Sequence, residues 1–413
     1  MKRPASVPAM AGGLPVPAAP GVAANAAPGA AAPPAAAPLV AMLSAAHPPE
    51  DVRVVGKEGA ALAAAGWRVV HICPGEAAEA QAWGVSLAPY RRRRGWRGRV
   101  LGLPALVRRA RRSGAAVIHA SEPDSWLAAI LAARLPGGGR GARVVLDVHE
   151  HYPSRLDERL PPALRPVARA AIRLCCRRMA AAADAVVVAK DGLDADFRAP
   201  ARTVAVRNYA EAAALEPRRH GPGPVTLLHL GALGRSRGSH EMLDALALCP
   251  AGTRLRLVGR FTDGGEDAFL DRARLLELSD QVERHGWRPR AEALALAASA
   301  DIGLVLFQPG VENHRLALPH KLFDCMLAGL PVIVPDFATE VAAVVRDAGC
   351  GLAVNTADPG AIAAAVAELS DPGRREALGR AGRDAALGRF GWAAEAARLV
   401  GLYRRLAPLP RAG

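Results

Sequence analysis

Three stretches of this 413-residue chain bring together residue types that can do chemistry. The first is Pro319-His320-Lys321-Leu322-Phe323-Asp324. Pro319 suits the first turn of a helix, where its missing N–H costs nothing. Lys321 and Asp324 stand three apart and share one side of that helix. A helix start with unused amides and a lysine suits phosphate, and Asp324 can accept hydrogen bonds from ribose hydroxyls. A sugar nucleotide would satisfy both. The second is Gly231-Ala232-Leu233-Gly234-Arg235-Ser236-Arg237-Gly238, a glycine-rich turn ahead of a helix. Such a turn lets backbone approach phosphate. It lacks the Lys-Ser/Thr pair of a Walker loop, and Arg235 can instead bridge pyrophosphate oxygens with its forked guanidinium. The third is His149-Glu150-His151, directly after an apolar run. Two histidines two apart make a weak zinc motif. At the carboxyl end of a parallel strand the same residues stand where ligands bind.

Each cluster sits where a strand hands over to a helix. Leu322, Phe323, Met326 and Leu327 recur at helical spacing, Gly329 closes that helix, and 330–335 is a buried strand. Strands are expected at 39–45, 67–73, 116–119, 144–148, 185–189 and 203–207. A second set is expected at 225–231, 254–259, 282–285, 301–307 and 351–354. Helices are expected between them, among them 52–65, 161–183, 290–298, 359–370, 372–389 and 392–406. Strand–helix–strand alternation predicts doubly wound parallel sheets, and the length allows two. The expected division is a Pro/Ala-rich tail over 1–37 that cannot bury a patterned face, a first domain over 38–209, and a linker over 210–224. A second domain follows over 225–390, then a final helix and tail over 391–413.

These motifs are similar to those of the family 4 retaining glycosyltransferases. The similarity is closest to a bacterial branch that reads proline, any residue, Lys-Leu-Phe-acid, then Gly-Leu-Pro-Val. Here that string runs from Pro319 to Val332. The strings Asp147-Val148-His149-Glu150-His151-Tyr152-Pro153 and Asp51-x-Arg53-x-x-x-Lys57-Glu58 resemble the same branch. Three positions depart from the wider family. The first of its two paired glutamates falls on Leu316 and the second on Asp324. The second histidine of a His-x-His-Glu-Pro string is Ser121, before Glu122. The first basic residue of the donor loop falls on Ala232, while Arg237-Gly238 fill its Lys-Gly place.

The resemblance implies an α/β fold of the GT-B type, with two doubly wound Rossmann-like domains facing a cleft and the last helix crossing back. It implies transfer of a sugar from a nucleotide-diphosphate sugar to a glycan, lipid-linked or small-molecule acceptor, with retention. No metal or further cofactor is expected, because fixed cations take the pyrophosphate charge. Arg237, Lys321, His149 and Glu150 would be catalytic. Gly231, Arg235, Gly238, Leu318 and Asp324 would bind the donor, with the amides around Leu316 to Leu318 on its diphosphate. Arg53, Ser121 and Glu122 would stand on the acceptor side. The departures leave two alternatives open: a sugar-nucleotide-binding protein with impaired catalysis, and a GT-B sugar-nucleotide epimerase.

Composition narrows the partners. Lys+Arg is 53 against Asp+Glu 39, a formal net charge of +14, which favours anionic partners. Aromatic residues are only 4%, too few for a base-stacking surface, and no nucleic-acid reader motif accompanies the charge. Ten arginines between Tyr90 and Arg112, interleaved with an apolar stripe, instead fit a helix on an anionic membrane surface. Six scattered cysteines without metal-ligand spacing suggest reduced thiols and a cytoplasmic setting, peripheral to the membrane where that helix docks. Trp287 is expected either to stack on a nucleobase or to cover core.

Overall fold

The structure, a computed structural model, describes residues 36–76, 80–92, 95–135 and 141–410. The expectation for the Pro/Ala-rich tail, and the parts of the basic stretch at Arg93 and Arg94, lie outside the described residues.

Two sheets organise the chain. The first holds β1 (Leu39–Leu43), β2 (Arg68–Pro74), β3 (Ala80–Ala82), β4 (Val85–Tyr90), β5 (Val117–Ala120), β6 (Arg143–Val148), β7 (Ala185–Val188) and β8 (Thr203–Ala205). Their order is β3-β4-β2-β1-β5-β6-β7-β8, parallel throughout except for the antiparallel edge pair β3–β4. The second holds β9 (Thr226–Leu230), β10 (Arg254–Val258), β11 (Val282–Gly286), β12 (Ile302–Leu304), β13 (Val332–Pro335) and β14 (Gly351–Val354). Their order is β11-β10-β9-β12-β13-β14, all parallel. Both sheets reverse direction beside their first strand, the switch point at which doubly wound folds bind ligands outside the strands' carboxyl ends. This is the two-domain Rossmann-like GT-B architecture.

The central strands are short runs of Val, Leu and Ile because helices cover both faces. One face of the first sheet packs under helices Gly95–Arg112, Pro123–Arg134 and Arg165–Ala182. The other face is covered partly by the last helix, Trp392–Leu406, which crosses back from the second domain. Its Leu399, Leu402 and Tyr403 are buried there, and the Trp67 indole N–H donates to the Ala407 carbonyl at 2.9 Å.

One element differs in kind from the expected regular helix over 52–65. Asp51 caps the segment Val52–Gly59, accepting from the amides of Arg53 and Val54 at 2.9 Å each. The Gly56 amide then reaches five residues back to the Asp51 carbonyl at 3.1 Å, which widens the turn before helix Ala60–Ala64. Wide turns of this kind re-aim side chains and cluster at functional sites. Here the turn carries Arg53, Lys57 and Glu58 inward, 4%, 2% and 0% exposed. These charges do not form a solvated face.

Candidate functional site: an interdomain cleft

In the second domain, the glycine-rich turn and the helix His320–Leu327 converge beside Phe307. Gly238 has φ +80°, and a Cβ there would lie 2.4 Å from the Leu306 carbonyl oxygen. Only glycine lets the turn come this close to the strand end. The packing swings Arg237, on the turn Arg235–Arg237, over Phe307, its guanidinium carbon 5.8 Å from the ring centroid. Lys321, in the first turn of its helix, places Nζ 5.9 Å from the same centroid and 3.0 Å from His229 Nε2. Burial, and then the neighbouring Arg237 charge, push the Lys321 pKa down to about 7. Among the described residues no carboxylate pairs with either cation. Two cations held side by side in this way are electrostatically suited to a multivalent anion.

In the first domain, ionisable residues gather at the carboxyl end of the sheet. The Arg53 guanidinium pairs with Glu58 at 2.7 Å and Asp147 at 2.9 Å, and also donates to the Val206 carbonyl and Asn208 Oδ1. His119 Nε2 lies 3.2 Å from Glu58 and 3.5 Å from Asp147, and its Nδ1 bonds Tyr403 of the crossing helix at 2.7 Å. Burial opposes a charged His119, but Asp147 and Glu58 outweigh it and raise its pKa to about 9. Asp147 also holds His149 Nε2 in a short hydrogen bond. Despite burial, Arg53 and the two histidines keep Asp147 well below the usual carboxylate range. Glu58, His119 and Asp147 have ligand atoms within 4.8 Å of one another, a possible spacing for a metal ion. The Arg53 guanidinium pairs with both carboxylates, and with His119 protonated the group carries no net charge.

His149 leaves this network edge-on to the His47 ring, centroids 4.9 Å apart. With His47, Glu122, Tyr152 and Arg155 it lines a pocket of about 540 Å³. Between the domains lies a cleft of about 650 Å³, walled by Lys190 and Ser154 on one side and Arg237, Phe307 and Leu318 on the other. Glu150 and Arg155 line both cavities, so the first-domain pocket adjoins the interdomain cleft.

The protein comparisons fit this geometry. The family model "Glycosyltransferase Family 4" matches residues 52–208, and "Glycosyl transferases group 1" matches 224–371, one on each sheet. The chain belongs to glycosyltransferase family 4. It is 27% identical over 209 residues to the glycogen synthase of Mycobacterium tuberculosis, covering 49% of this chain and 48% of that protein. The match thus spans about half the length of this curated relative. Among solved structures, sucrose-phosphate synthase from Thermosynechococcus elongatus superposes with TM-score 0.70 at 19% identity, over 90% of this chain and 99% of that one. Anabaena Alr3699/HepE in complex with UDP-glucose superposes with TM-score 0.65 at 15% identity, over 89% and 99%.

Against the family 4 motifs, the structure brings some expected residues together and moves others away. Arg237, Lys321 and Gly238 meet around Phe307. Leu318 lines the cleft with Arg237, and a Cβ on Gly231, at φ +87°, would be 3.9 Å from Lys321 Cε. His149 and Glu150 face the first-domain pocket. Arg235 does not join them. It is exposed, with its guanidinium on His240 Nδ1 at 2.5 Å, because the turn directs only the following two residues into the cleft. Asp324 lines neither cavity and is paired with Arg290 at 3.0 Å. Burial raises its pKa even though Arg290 opposes the shift. The amides of Leu316 and Ala317 are taken by the Glu312 and His314 carbonyls, which leaves the Leu318 amide as the donor facing the cleft.

Of the three acceptor-side residues, Glu122 lines the first-domain pocket, and Arg53 and Ser121 do not. Arg53 lines neither cavity: its two terminal nitrogens are held by Glu58, Asp147, the Val206 carbonyl and Asn208 Oδ1, deep under the pocket. Ser121 is fully buried, 3.5 Å from Ser44 Oγ, beneath the pocket floor. Glu122 reaches the pocket wall, but its carboxylate accepts from the amides of Ala45, Ala46 and His47 and so shapes the β1 loop. Trp287 is 58% exposed and does not cover core. Leu316, at the position of the family's first glutamate, is 7% exposed and packs into the apolar cluster of the first domain, beside Gly192.

Sequence reasoning missed Lys190, His229, Arg290 and Asp147 as site-forming residues. His229 and Asp147 occupy strands, where alternation hides them. Lys190 follows a strand end, the one local signal that could have found it.

Proposed function

We propose that this chain transfers a sugar, with retention, from a nucleotide-diphosphate sugar to a glycan, lipid-linked or small-molecule acceptor. The observation that carries this reading is the Arg237–Lys321 pair about Phe307, with Arg237 and Phe307 lining a cleft that shares Glu150 and Arg155 with a first-domain pocket. The HepE structures hold UDP and UDP-glucose, which supports a nucleotide-sugar donor for this chain.

In this reading the diphosphate lies against Arg237, Lys321 and the Leu318 amide, with the sugar toward Glu150. The glycosidic C–O bond breaks with its electron pair going to the terminal phosphate oxygen. The acceptor oxygen bonds the same sugar carbon from the same face, and its proton passes to the departing phosphate. Arg237 and Lys321 stabilise the charge that grows on that phosphate, which requires no metal. His149, held by Asp147, orients the acceptor hydroxyl. Asp324 serves the nucleoside end together with Arg290.

Calorimetry against a panel of sugar nucleotides tests the donor. At least one should bind to wild type, and Arg237→Ala/Lys321→Ala should abolish binding while leaving the melting temperature unchanged. A double variant that still binds and turns over refutes the assignment. His149→Ala should lower kcat by about 10²-fold while donor Kd stays the same.

The basic helix Gly95–Arg112 favours an acceptor at an anionic membrane. Its Val100 and Leu101 are 62% and 64% exposed, and Arg99 and Val100 line the first-domain pocket. None of the described helices is long and apolar enough to cross a membrane, so contact would be peripheral.

A further inference from the structure

Lys190 stands directly after β7 in the first domain, on the cleft wall opposite Arg237. It is 7% exposed. Among the described residues its ammonium has neither a hydrogen-bond partner nor a carboxylate within ion-pair distance. Glu150 and Glu340 are the acidic groups that act on it, both from beyond 4 Å, and burial, the larger effect, brings its pKa down to about 8. A largely desolvated lysine whose ammonium meets only the open cleft provides a ready-made contact for an anion.

We propose that Lys190 is a third donor-binding cation, and that it reaches from the acceptor domain to the terminal, sugar-bearing phosphate of the nucleoside diphosphate. This rests on the donor reading given above. Three observations assign the phosphate. Lys190 shares the cleft with Arg237, so one ligand can touch both. It shares the cleft also with Glu150, the residue that joins the two cavities, and so stands at the end of the donor nearest the acceptor pocket. Arg237 and Lys321 come from the second domain, and of the first-domain cations on the cleft Arg155 is paired with Glu150, so Lys190 is the unpaired one through which the anion can bridge the two domains.

The test is calorimetric titration of wild type, Lys190→Met and Lys190→Arg with UDP, GDP, ADP and dTDP. The tightest of these is then compared with its monophosphate. A charge-assisted hydrogen bond to phosphate corresponds to about a 10- to 100-fold change in affinity. Lys190→Met should lose that factor for the diphosphate and none for the monophosphate. Lys190→Arg should restore most of it. Replacing a buried ammonium with methionine should leave the melting temperature equal or higher, so loss of affinity without loss of fold supports the assignment. Equal diphosphate affinity in wild type and Lys190→Met overturns it, as does an equal loss for both nucleotides. If wild type binds none of the four, both the donor reading and this proposal fail.

Discussion

Lys321 makes diphosphate binding depend on pH in a way that can be calculated from its surroundings. Three groups face its ammonium: His229 at 3.0 Å, the Arg237 guanidinium and the Cys325 thiol. Burial and Arg237 set its pKa at about 7 without ligand. A diphosphate beside it favours the charged form and raises that value by about 2 or more. Between the two values the free protein has lost a proton that the complex retains, so binding takes one up. The sign follows: affinity is fully present below pH 7 and falls as pH rises. One pKa unit corresponds to about 1.4 kcal/mol, so Kd should rise about fivefold from pH 7 to 8 and about 12-fold from 7 to 8.5. The ligand's own terminal phosphate ionises at about 6, below this window, and does not confound it. Calorimetry in two buffers of different ionisation enthalpy measures both Kd and proton uptake. Lys321→Met should bind weakly and lose the dependence between pH 7 and 8, leaving only the later contribution of Lys190. A wild-type Kd that is constant from pH 6.5 to 8.5, with no proton uptake, would refute the reasoning.

Two further outcomes follow. Gly238→Ala meets the Leu306 carbonyl at 2.4 Å and a φ of +80°. It should destabilise the protein by at least about 1–2 kcal/mol and weaken donor binding, read from chemical unfolding and calorimetry. His119, with its pKa raised to about 9, stabilises the folded state below its unfolded value near 6.5, and that contribution disappears as pH rises through 9. His47, raised to about 9 by Asp51 against the effect of burial, acts in the same direction. The urea midpoint should therefore fall between pH 7 and 9, less steeply in His119→Gln than in wild type.

The repeating strand and helix periods made both sheets legible in the sequence, because each apolar run is short and each helix has a buried stripe. The glycine turn and the Pro319 helix were legible because backbone geometry constrains their residue types. The buried charges were not. Arg53, Lys57 and Glu58 look like a solvated helix face until the widened turn carries them inward. Their partners lie far along the chain: Asp147 is 94 residues from Arg53, and Tyr403 is 284 from His119. Asp324 suggested a free carboxylate because Arg290, its partner, belongs to another helix. Local patterning reports which residues share a face, but not which distant face meets it.

Leu316 gives the cleft a mechanical character. It belongs to the second domain's chain yet is seated in the first domain's apolar cluster, close to Gly192. The His151 amide donates to Asn313 on the same loop at 2.7 Å, and Lys57 reaches His320 at 3.4 Å. Swinging the lobes apart must unseat that leucine, which costs about 2 kcal/mol, before the bonds beside it are counted. An enzyme fastened in this way would spend most of its time shut. Substrates would then enter during brief excursions.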